Sequence, residues 1–125
     1  MSPLMSAQSE FLIDFCSVIK FAIEDGFVVT AGELQRPVEM QKIYVKTGRS
    51  KTMNSKHIQR LAGDLNFFLP NPDGRLVYIC SVETLAHIGR YWESLNPKNR
   101  WGGNFDKDWS KEDNFKDAPH FERLL

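Results

Sequence analysis

An amphipathic segment near the N-terminus, followed at once by a strand-like run, constrains the fold more than any other feature of this chain. Apolar residues recur there at helical spacing: Phe11, Leu12, Phe15, Val18, Ile19, Ala22 and Ile23. Gly26 suits the end of this helix. The β-branched run FVVTA (27–31) then predicts a buried strand.

The remaining elements follow in mixed order. Pro37 suits the first position of a second helix and Gly48 its left-handed end. The run RLVYIC (75–80) predicts a strand after the turn NPDG, and Ser81 is placed to cap a third helix that ends before Pro97. Because few long crossovers separate these elements, we expect an α+β fold with a small, mainly antiparallel sheet flanked by helices.

Length and charge narrow the class of protein. A chain of 125 residues supports one core but not two, so we expect a single domain, 1–125. Sixteen basic residues balance sixteen acidic ones, which argues against a general binder of nucleic acid or of a membrane surface. Any site for a polyanion would have to be local.

The N-terminus and the cysteines bear on the cellular compartment. MSPLMSAQSE has no basic region, and the segment after it carries several charges, so we expect neither a signal peptide nor a membrane span. Cys16 and Cys80 lack the spacing of a metal or redox motif, and we interpret both as small buried hydrophobic residues rather than a disulfide. The chain is therefore expected to be made in a cytoplasm.

The stretch NSKHIQRLAGDL (54–65) contains a histidine and an aspartate seven positions apart. On a strand, His57 and Asp64 would face opposite sides, and on a helix they would be separated by roughly 10 Å along the axis. A turn between them would bring them together, with Asp64 on a half-buried strand in which Leu65 and Phe67 alternate with polar residues. Imidazole and carboxylate are ligands of catalytic zinc, which keeps a fourth position open.

A third ligand has few candidates because the chain has only three histidines. His87 is displaced from the apolar face of the third helix, and we interpret it as a surface histidine. His120 follows Pro119 and opens HFERLL (120–125), a candidate closing strand. Asp117, three residues earlier, could act as a general base. The competing interpretation is a solvated loop with a hydrogen-bonded histidine.

Two motifs carry a resemblance to a known family. SKTMNSKHIQRLAGDLNFF (50–68) resembles the Ser-x-His-x-x-Gly-x-Ala-x-Asp motif of zinc D-alanyl-D-alanine carboxypeptidases, a family that includes VanY-type enzymes and phage L-alanyl-D-glutamate peptidase endolysins. DAPHFE (117–122) resembles the second family motif. The segments 32–48 and 88–105 are similar to the upstream Arg-x-x-x-x-Gln segment and to the Trp-Gly-Gly region of the phage members.

The resemblance implies a hedgehog-like α+β fold and a zinc-dependent peptidoglycan peptidase. It identifies the zinc ligands as His57, Asp64 and His120, the general base as Asp117, and the substrate-holding, oxyanion-stabilising arginine as Arg36. The residues that it places along the substrate cleft are Ser50, Ser55, Trp101, Gly102 and Gly103.

The resemblance also implies a substrate and a place of action. The substrate is the stem peptide of bacterial peptidoglycan, with the L-Ala-D-Glu bond favoured over D-Ala-D-Ala. Without an export signal, an endolysin of this kind would reach the wall through a holin or in a virion. No nucleic-acid, membrane or protein partner is expected.

The chain departs from the family pattern at Arg60, which stands where the family has glycine. If that position needs a positive φ, an arginine strains the turn. The main rival to the peptidase is therefore a non-catalytic phage structural or wall-binding module that keeps the fold.

A nucleic-acid arm and a calcium-binding loop have weaker support. The basic residues Arg49, Lys51, Lys56 and Arg60 could form such an arm, but no aromatic residue falls between positions 49 and 60. The acidic segment FDKDWSKEDNFKD (105–117) lacks the spacing of a calcium-binding loop, and we interpret it as a solvated loop.

Overall fold

The structure is a computed structural model, which describes residues 1–51, 53, 55–105, 107, 109 and 116–125. Most of the acidic segment interpreted as a solvated loop lies outside these residues. The helices are α1 (Pro3–Glu24), α2 (Val38–Lys46) and α3 (Val82–Leu95), and the strands are β1 (Val28–Ala31), β2 (Ala62–Pro70), β3 (Leu76–Ile79), β4 (Asn99–Trp101) and β5 (His120–Arg123). A short 3-10 turn, Gly102–Asn104, follows β4.

The predicted helix ends are confirmed at Gly26, Gly48 and Ser81, whereas Pro37 lies one position before α2 and not at its first position. The Ser2 and Ser81 hydroxyls accept hydrogen bonds from backbone N–H groups at the starts of α1 and α3. Gly26 and Gly48, just after α1 and α2, have φ of 104° and 79°. These left-handed conformations have little steric penalty for glycine, which explains why both helices stop where they do.

The buried face of α1 is narrower than its sequence suggests. Phe11, Phe15, Val18 and Ala22 are buried against α3 and the sheet, whereas Leu12 and Ile23 are 49% and 54% exposed. Residues spaced four, three and four apart lie on one line of an α-helix, and their immediate neighbours fall at its margin. The predicted stripe is therefore correct along its centre and wrong at its edges.

Two burial predictions are wrong. The sequence predicts a buried β1, but Val28 is 42% exposed because β1 is an edge strand that pairs with β2 alone. Cys16 and Cys80 are free thiols, as expected, but both are exposed. Cys16 follows the buried Phe15 and falls outside the buried line of α1, and Cys80 lies just beyond the end of β3.

β2 organises the sheet, and every pairing in it is antiparallel, as predicted. Its C-terminal part pairs with β1 on one side and with β3 on the other. Its first residues pair with β5, so that Asp64 lies directly opposite His120. β4 then pairs with the outer side of β5. The register thus brings together two residues that are 56 positions apart in the sequence.

A core of aromatic rings packs between this sheet and the helices α1 and α3. The Trp92 ring lies 5.6 Å from that of Phe11 and 5.7 Å from that of Phe121, edge to face in both cases. The indole N–H of Trp92 donates to backbone carbonyls of Arg100 and Glu122, so its one polar atom is satisfied inside the core. α1 and α3 are therefore fixed to the strands β4 and β5 next to the site.

Candidate metal centre

Three side-chain atoms from separate segments form a nearly equilateral triangle. Nε2 of His57, Oδ1 of Asp64 and Nδ1 of His120 lie 3.2 Å from one another along each edge. Both imidazoles are buried, and Asp64 is half-buried. The structure thus brings together the three residues that the sequence predicts as zinc ligands.

This triangle fits a zinc ion. Ligand atoms at about 2.0 Å from a tetrahedral ion lie about 3.3 Å apart, close to the spacing of these three atoms. Two imidazole nitrogens and one carboxylate oxygen are ligands that zinc prefers, and three protein ligands leave the fourth position open, as in catalytic sites. Geometry and donor chemistry both match the group that the sequence resemblance implies.

The histidines are oriented through their other ring nitrogens. Nε2 of His120 donates to Oε1 of Glu122 at 2.6 Å. Nδ1 of His57 points to the carbonyl of Leu34 at 3.5 Å, which is at the limit of a hydrogen bond. Such partners fix the tautomer and the ring orientation of a metal-binding histidine. Glu122 holds His120 more tightly than the Leu34 carbonyl holds His57.

A turn between His57 and Leu61 carries the first ligand into place, as predicted. The N–H of Leu61 donates to the carbonyl of Lys56 at 2.9 Å, and the N–H of His57 donates to the Ser55 hydroxyl at 3.3 Å. Arg60 has φ of 59°, the left-handed conformation that favours the family glycine. The turn therefore forms with arginine at this position, and the His57 side chain reaches Asp64 and His120.

The N-terminal helix also supports this turn. Nε2 of Gln8 on α1 donates to the carbonyl of Gln59 at 2.8 Å. Gln59 lies one residue before the strained Arg60, so the contact ties α1 to the turn that presents His57. The helix lies outside the part of the chain that carries the family resemblance, and the sequence alone did not connect it with the site.

The charges of the three residues depend on one another. Burial raises the pKa of Asp64, but hydrogen bonds with His120 and His57 outweigh it and lower the pKa to about 2. Burial lowers the pKa of His120, but hydrogen bonds with Asp64 and Glu122 outweigh it and raise the pKa to about 9. Without a metal, His120 is therefore a cation between two carboxylates, and a metal ion would take the place of its Nδ1 proton.

Asp117 lines the cleft beside these residues. Its carboxylate makes no hydrogen bond or ion pair with any residue that the structure describes, whereas its backbone N–H donates to the carbonyl of Gly102 at 2.8 Å. Burial raises the pKa of Asp117. A partly buried carboxylate with a raised pKa and unused oxygens is suited to accept a proton.

Arg36 reaches the same cleft from the segment before α2. It is only 8% exposed, and its guanidinium contacts the carboxylate of Glu33, the amide oxygen of Gln41 and the hydroxyl of Ser55. Gln41 in turn donates to the Ser50 hydroxyl at 2.8 Å. These contacts fix the guanidinium plane, so Arg36 is a rigid hydrogen-bond donor rather than a surface ion pair.

The cleft has a volume of about 280 Å³. The predicted site residues that line it are Arg36, Ser50, Ser55, His57, Asp117 and His120. Asp64 closes the metal triangle at its inner end. His87 lies elsewhere, exposed and 2.6 Å from a carboxylate oxygen of Asp25, as expected of a surface histidine.

Three residues expected along the cleft, Trp101, Gly102 and Gly103, are not among those that line it. The Trp101 side chain is fully buried, and its indole N–H donates to the carbonyl of Ala118 at 2.7 Å. A Cβ added to Gly102 would lie 1.9 Å from the carbonyl oxygen of Asp117. Gly103 likewise packs against the Trp101 ring. This segment therefore contacts the 117–120 backbone from the side away from the cleft lining.

The sequence interpretation missed several polar residues around the site. Glu122 shares a strand face with His120 because it lies two positions further along β5. The same two-residue spacing can be read in the motif DAPHFE, so the sequence carried a signal for Glu122. The Arg100 guanidinium, 2.7 Å from Glu122, also lines the cleft. Glu33, which binds Arg36, had no comparable signal, since its position depends on the loop before α2.

Comparison with known proteins links this chain to a peptidase. No family model and no curated protein matches it. Among solved structures, the chain is similar to the L-Ala D-Glu endopeptidase ChiX of Serratia marcescens, with a TM-score of 0.58, 25% sequence identity, and coverage of 86% of this chain and 75% of that one. The chain has a fold related to that of this peptidase. The predicted α+β class with a mainly antiparallel sheet is thereby confirmed.

The helices were also compared with the length and hydrophobicity that a membrane span requires. Within the described part of the chain, no helix is both long and apolar enough to cross a membrane.

Proposed function

We propose that this protein is a zinc-dependent peptidase that hydrolyses the stem peptides of bacterial peptidoglycan, at the L-Ala-D-Glu bond in preference to D-Ala-D-Ala. The observation that carries the proposal is the triangle of His57, Asp64 and His120, with 3.2 Å edges, in one cleft with Asp117 and Arg36. Similarity to an L-Ala D-Glu endopeptidase supports the choice of substrate.

The ion would supply Lewis acidity, which polarises a carbonyl and makes water a stronger acid. Asp117 accepts the proton of the attacking water on a carboxylate oxygen and passes it to the nitrogen of the leaving amine, for which its raised pKa is suited. Arg36 donates an N–H to the oxygen on which negative charge develops. The bond from water oxygen to carbonyl carbon forms, and the carbon–nitrogen bond breaks.

The residues around Arg36 act by holding it still. Glu33 and Gln41 fix the guanidinium from two sides, and Ser55 contacts both Arg36 and the backbone N–H of His57. Ser50 accepts from Gln41 at 2.8 Å. Donors that are already oriented need no rearrangement when the charge develops, which is the main source of their effect on rate.

One experiment tests the proposal directly. The purified protein is assayed for bound zinc and for the release of new amino groups from purified peptidoglycan, and the new N-terminal residue is identified. Asp117→Ala should keep zinc and lose activity by roughly 10²–10⁴-fold. His120→Ala should lose both zinc and activity. Release of D-glutamate amino groups identifies the endopeptidase, and release of free D-alanine identifies the carboxypeptidase.

The same assay distinguishes the peptidase from a non-catalytic wall-binding module. Zinc bound at one ion per chain without any cleavage would support that module and overturn the peptidase proposal. Arg60 is the main reason to consider the module. The ligand triangle forms with Arg60 at φ of 59°, so the departure from the family pattern leaves the ligands in place.

The proposal extends to delivery. An endolysin substrate lies outside the cytoplasmic membrane, so we propose that the protein reaches the wall through a holin or as part of a virion. Expression in a bacterial cytoplasm should leave cells intact until a holin is co-expressed, and then lyse them. Lysis by the Asp117→Ala variant under the same conditions would show that the peptidase activity is not its cause.

A further inference from the structure

Basic side chains surround the cleft although the chain as a whole has no net charge. Among the described residues, five arginine and lysine side chains line it against two carboxylates: Arg36, Arg49, Lys51, Lys56 and Arg100 against Asp117 and Glu122. The excess of positive charge is therefore local to the cleft. The balanced charge of the whole chain left only such a local site open to a polyanion.

The inner and outer cations differ in their partners. Arg36 and Arg100 each face a carboxylate, of Glu33 and Glu122. Further out, the Arg49 guanidinium lies 5.1 Å from the centre of the Tyr44 ring, and Nζ of Lys56 donates to the amide oxygen of Gln59 at 3.2 Å. In the part of the chain that the structure describes, the partners of these two outer cations carry no charge, so their positive charge is available to a ligand.

The outer cations lie on the segment that also carries the first metal ligand. The segment 47–57 runs from the end of α2 to His57, and Arg49, Lys51 and Lys56 from it line the cleft. Arg60, the fourth residue of the same basic stretch, lines a separate groove with Met5 and Leu34. The stretch is therefore divided, and only its first three members can meet a molecule bound in the cleft.

The size of the cleft favours a small anion over a nucleic acid. Its volume of about 280 Å³ suits a short peptide. Binding of a single strand without sequence preference uses a long basic groove with stacked aromatic side chains. Phe105 supplies an aromatic ring beside the histidines, with its centre 5.6 Å from that of His120, but it lies at the metal end and not among the outer cations.

We propose that Arg49 and Lys56 form a subsite that binds a free carboxylate of the substrate peptide. The inference rests on the proposed peptidase function and specifies its substrate. The D-glutamate of an L-Ala-D-Glu bond has two carboxyl groups, of which one remains free when the other continues the peptide. Arginine and lysine bind such a group through charge-assisted hydrogen bonds, and arginine can do so with two parallel bonds.

The test compares two synthetic stem peptides. One has the free carboxylate of D-glutamate, and the other has a carboxamide at the same position. The zinc-loaded wild type should cleave the carboxylate peptide with a kcat/KM roughly tenfold higher, mainly through a lower KM, as expected for loss of one charge-assisted contact. The double variant Arg49→Gln/Lys56→Gln should cleave both peptides equally. A matched control, Lys42→Gln/Lys46→Gln on the exposed side of α2, should keep the preference.

The outcomes separate the two proposals. Equal cleavage of both peptides by the wild type, or an unchanged preference in Arg49→Gln/Lys56→Gln, overturns the subsite and leaves the peptidase standing. No cleavage of either peptide by the zinc-loaded wild type overturns the peptidase and the subsite with it. Inhibition by a short single-stranded oligonucleotide at lower concentration than by the carboxylate peptide would assign these cations to nucleic acid. Circular dichroism confirms that each variant is folded.

Discussion

Nε2 of His120 lies 2.6 Å from Oε1 of Glu122, two residues further along the same strand. The second oxygen of Glu122 accepts from the Arg100 guanidinium at 2.7 Å and 3.1 Å. Burial raises the pKa of Glu122, but hydrogen bonds with His120 and Arg100 outweigh it, and the pKa is lowered. A carboxylate held from both sides fixes the His120 ring with Nδ1 directed at Asp64.

Glu122→Gln should weaken zinc binding by roughly 10–100-fold, because it removes the charge that orients His120 and strengthens its ligand nitrogen. Zinc affinity is measured by competition with a chromophoric chelator. Glu39→Gln, at an exposed position on α2, is the matched control and should bind zinc like the wild type. Equal affinity of Glu122→Gln and the control would show that the hydrogen bond plays no part in metal binding.

His57→Ala should abolish stoichiometric zinc binding, because two protein ligands hold this ion far less tightly than three. Zinc per chain is measured by elemental analysis after dialysis. His87→Ala removes a histidine of the same chain that pairs with Asp25 away from the site, so it should keep one zinc. If His57→Ala retained a full equivalent of zinc, the ligand assignment would be wrong.

Arg60→Gly should raise the free energy of unfolding by about 0.5–1 kcal/mol, because glycine adopts the φ of 59° without the steric conflict of a Cβ. Chemical denaturation measures the change. Arg60→Ala removes the same side chain but keeps the Cβ, so it should give no such gain. A gain of the same size in both variants would assign the effect to the arginine side chain and not to the backbone.

The stability of the metal-free protein should fall on the alkaline side. The pKa of His120 is raised from 6.5 to about 9, so its contribution is complete below pH 6.5 and is lost as the pH rises through 9. We expect a loss on the order of 3 kcal/mol across this range. The pKa of Asp64 is lowered from 3.8 to about 2, so its contribution is lost as the pH falls from 3.8 towards 2.

Denaturation in the presence of a chelator at several pH values checks both limbs of this profile. His87→Ala should show the same alkaline decline as the wild type, and His120→Ala should not. A stability that stays constant from pH 6.5 to 9 in the metal-free wild type would contradict the assigned charge of His120.

Local chemistry explains which elements the sequence predicted well. A capping serine and a left-handed glycine act over one or two turns, so the end of α1 and the start of α3 could be placed from the residues alone. The turn between His57 and Asp64 was predicted because neither a strand nor a helix brings two side chains seven positions apart into contact. Both arguments depend only on the covalent geometry of the chain.

The errors come from properties that depend on the neighbours of an element in space. The strand at Val28 was recognised, but its place at the edge of the sheet is set by pairing with β2. Trp101 was placed at the cleft through the family resemblance, whereas Gly89 on α3 leaves the space that its ring fills. Tertiary packing of this kind has no signal in the segment concerned.

Two of the three predicted metal ligands, His57 and His120, are 63 positions apart, about half of the length of the chain. An ion held between them would close a loop of that length, as a disulfide does in secreted proteins. The two cysteines of this chain are free and serve no such purpose. Removal of such an ion by a chelator should therefore loosen the attachment of the C-terminal strand β5 to β2, and the supply of metal would decide how well the folded chain resists proteolysis.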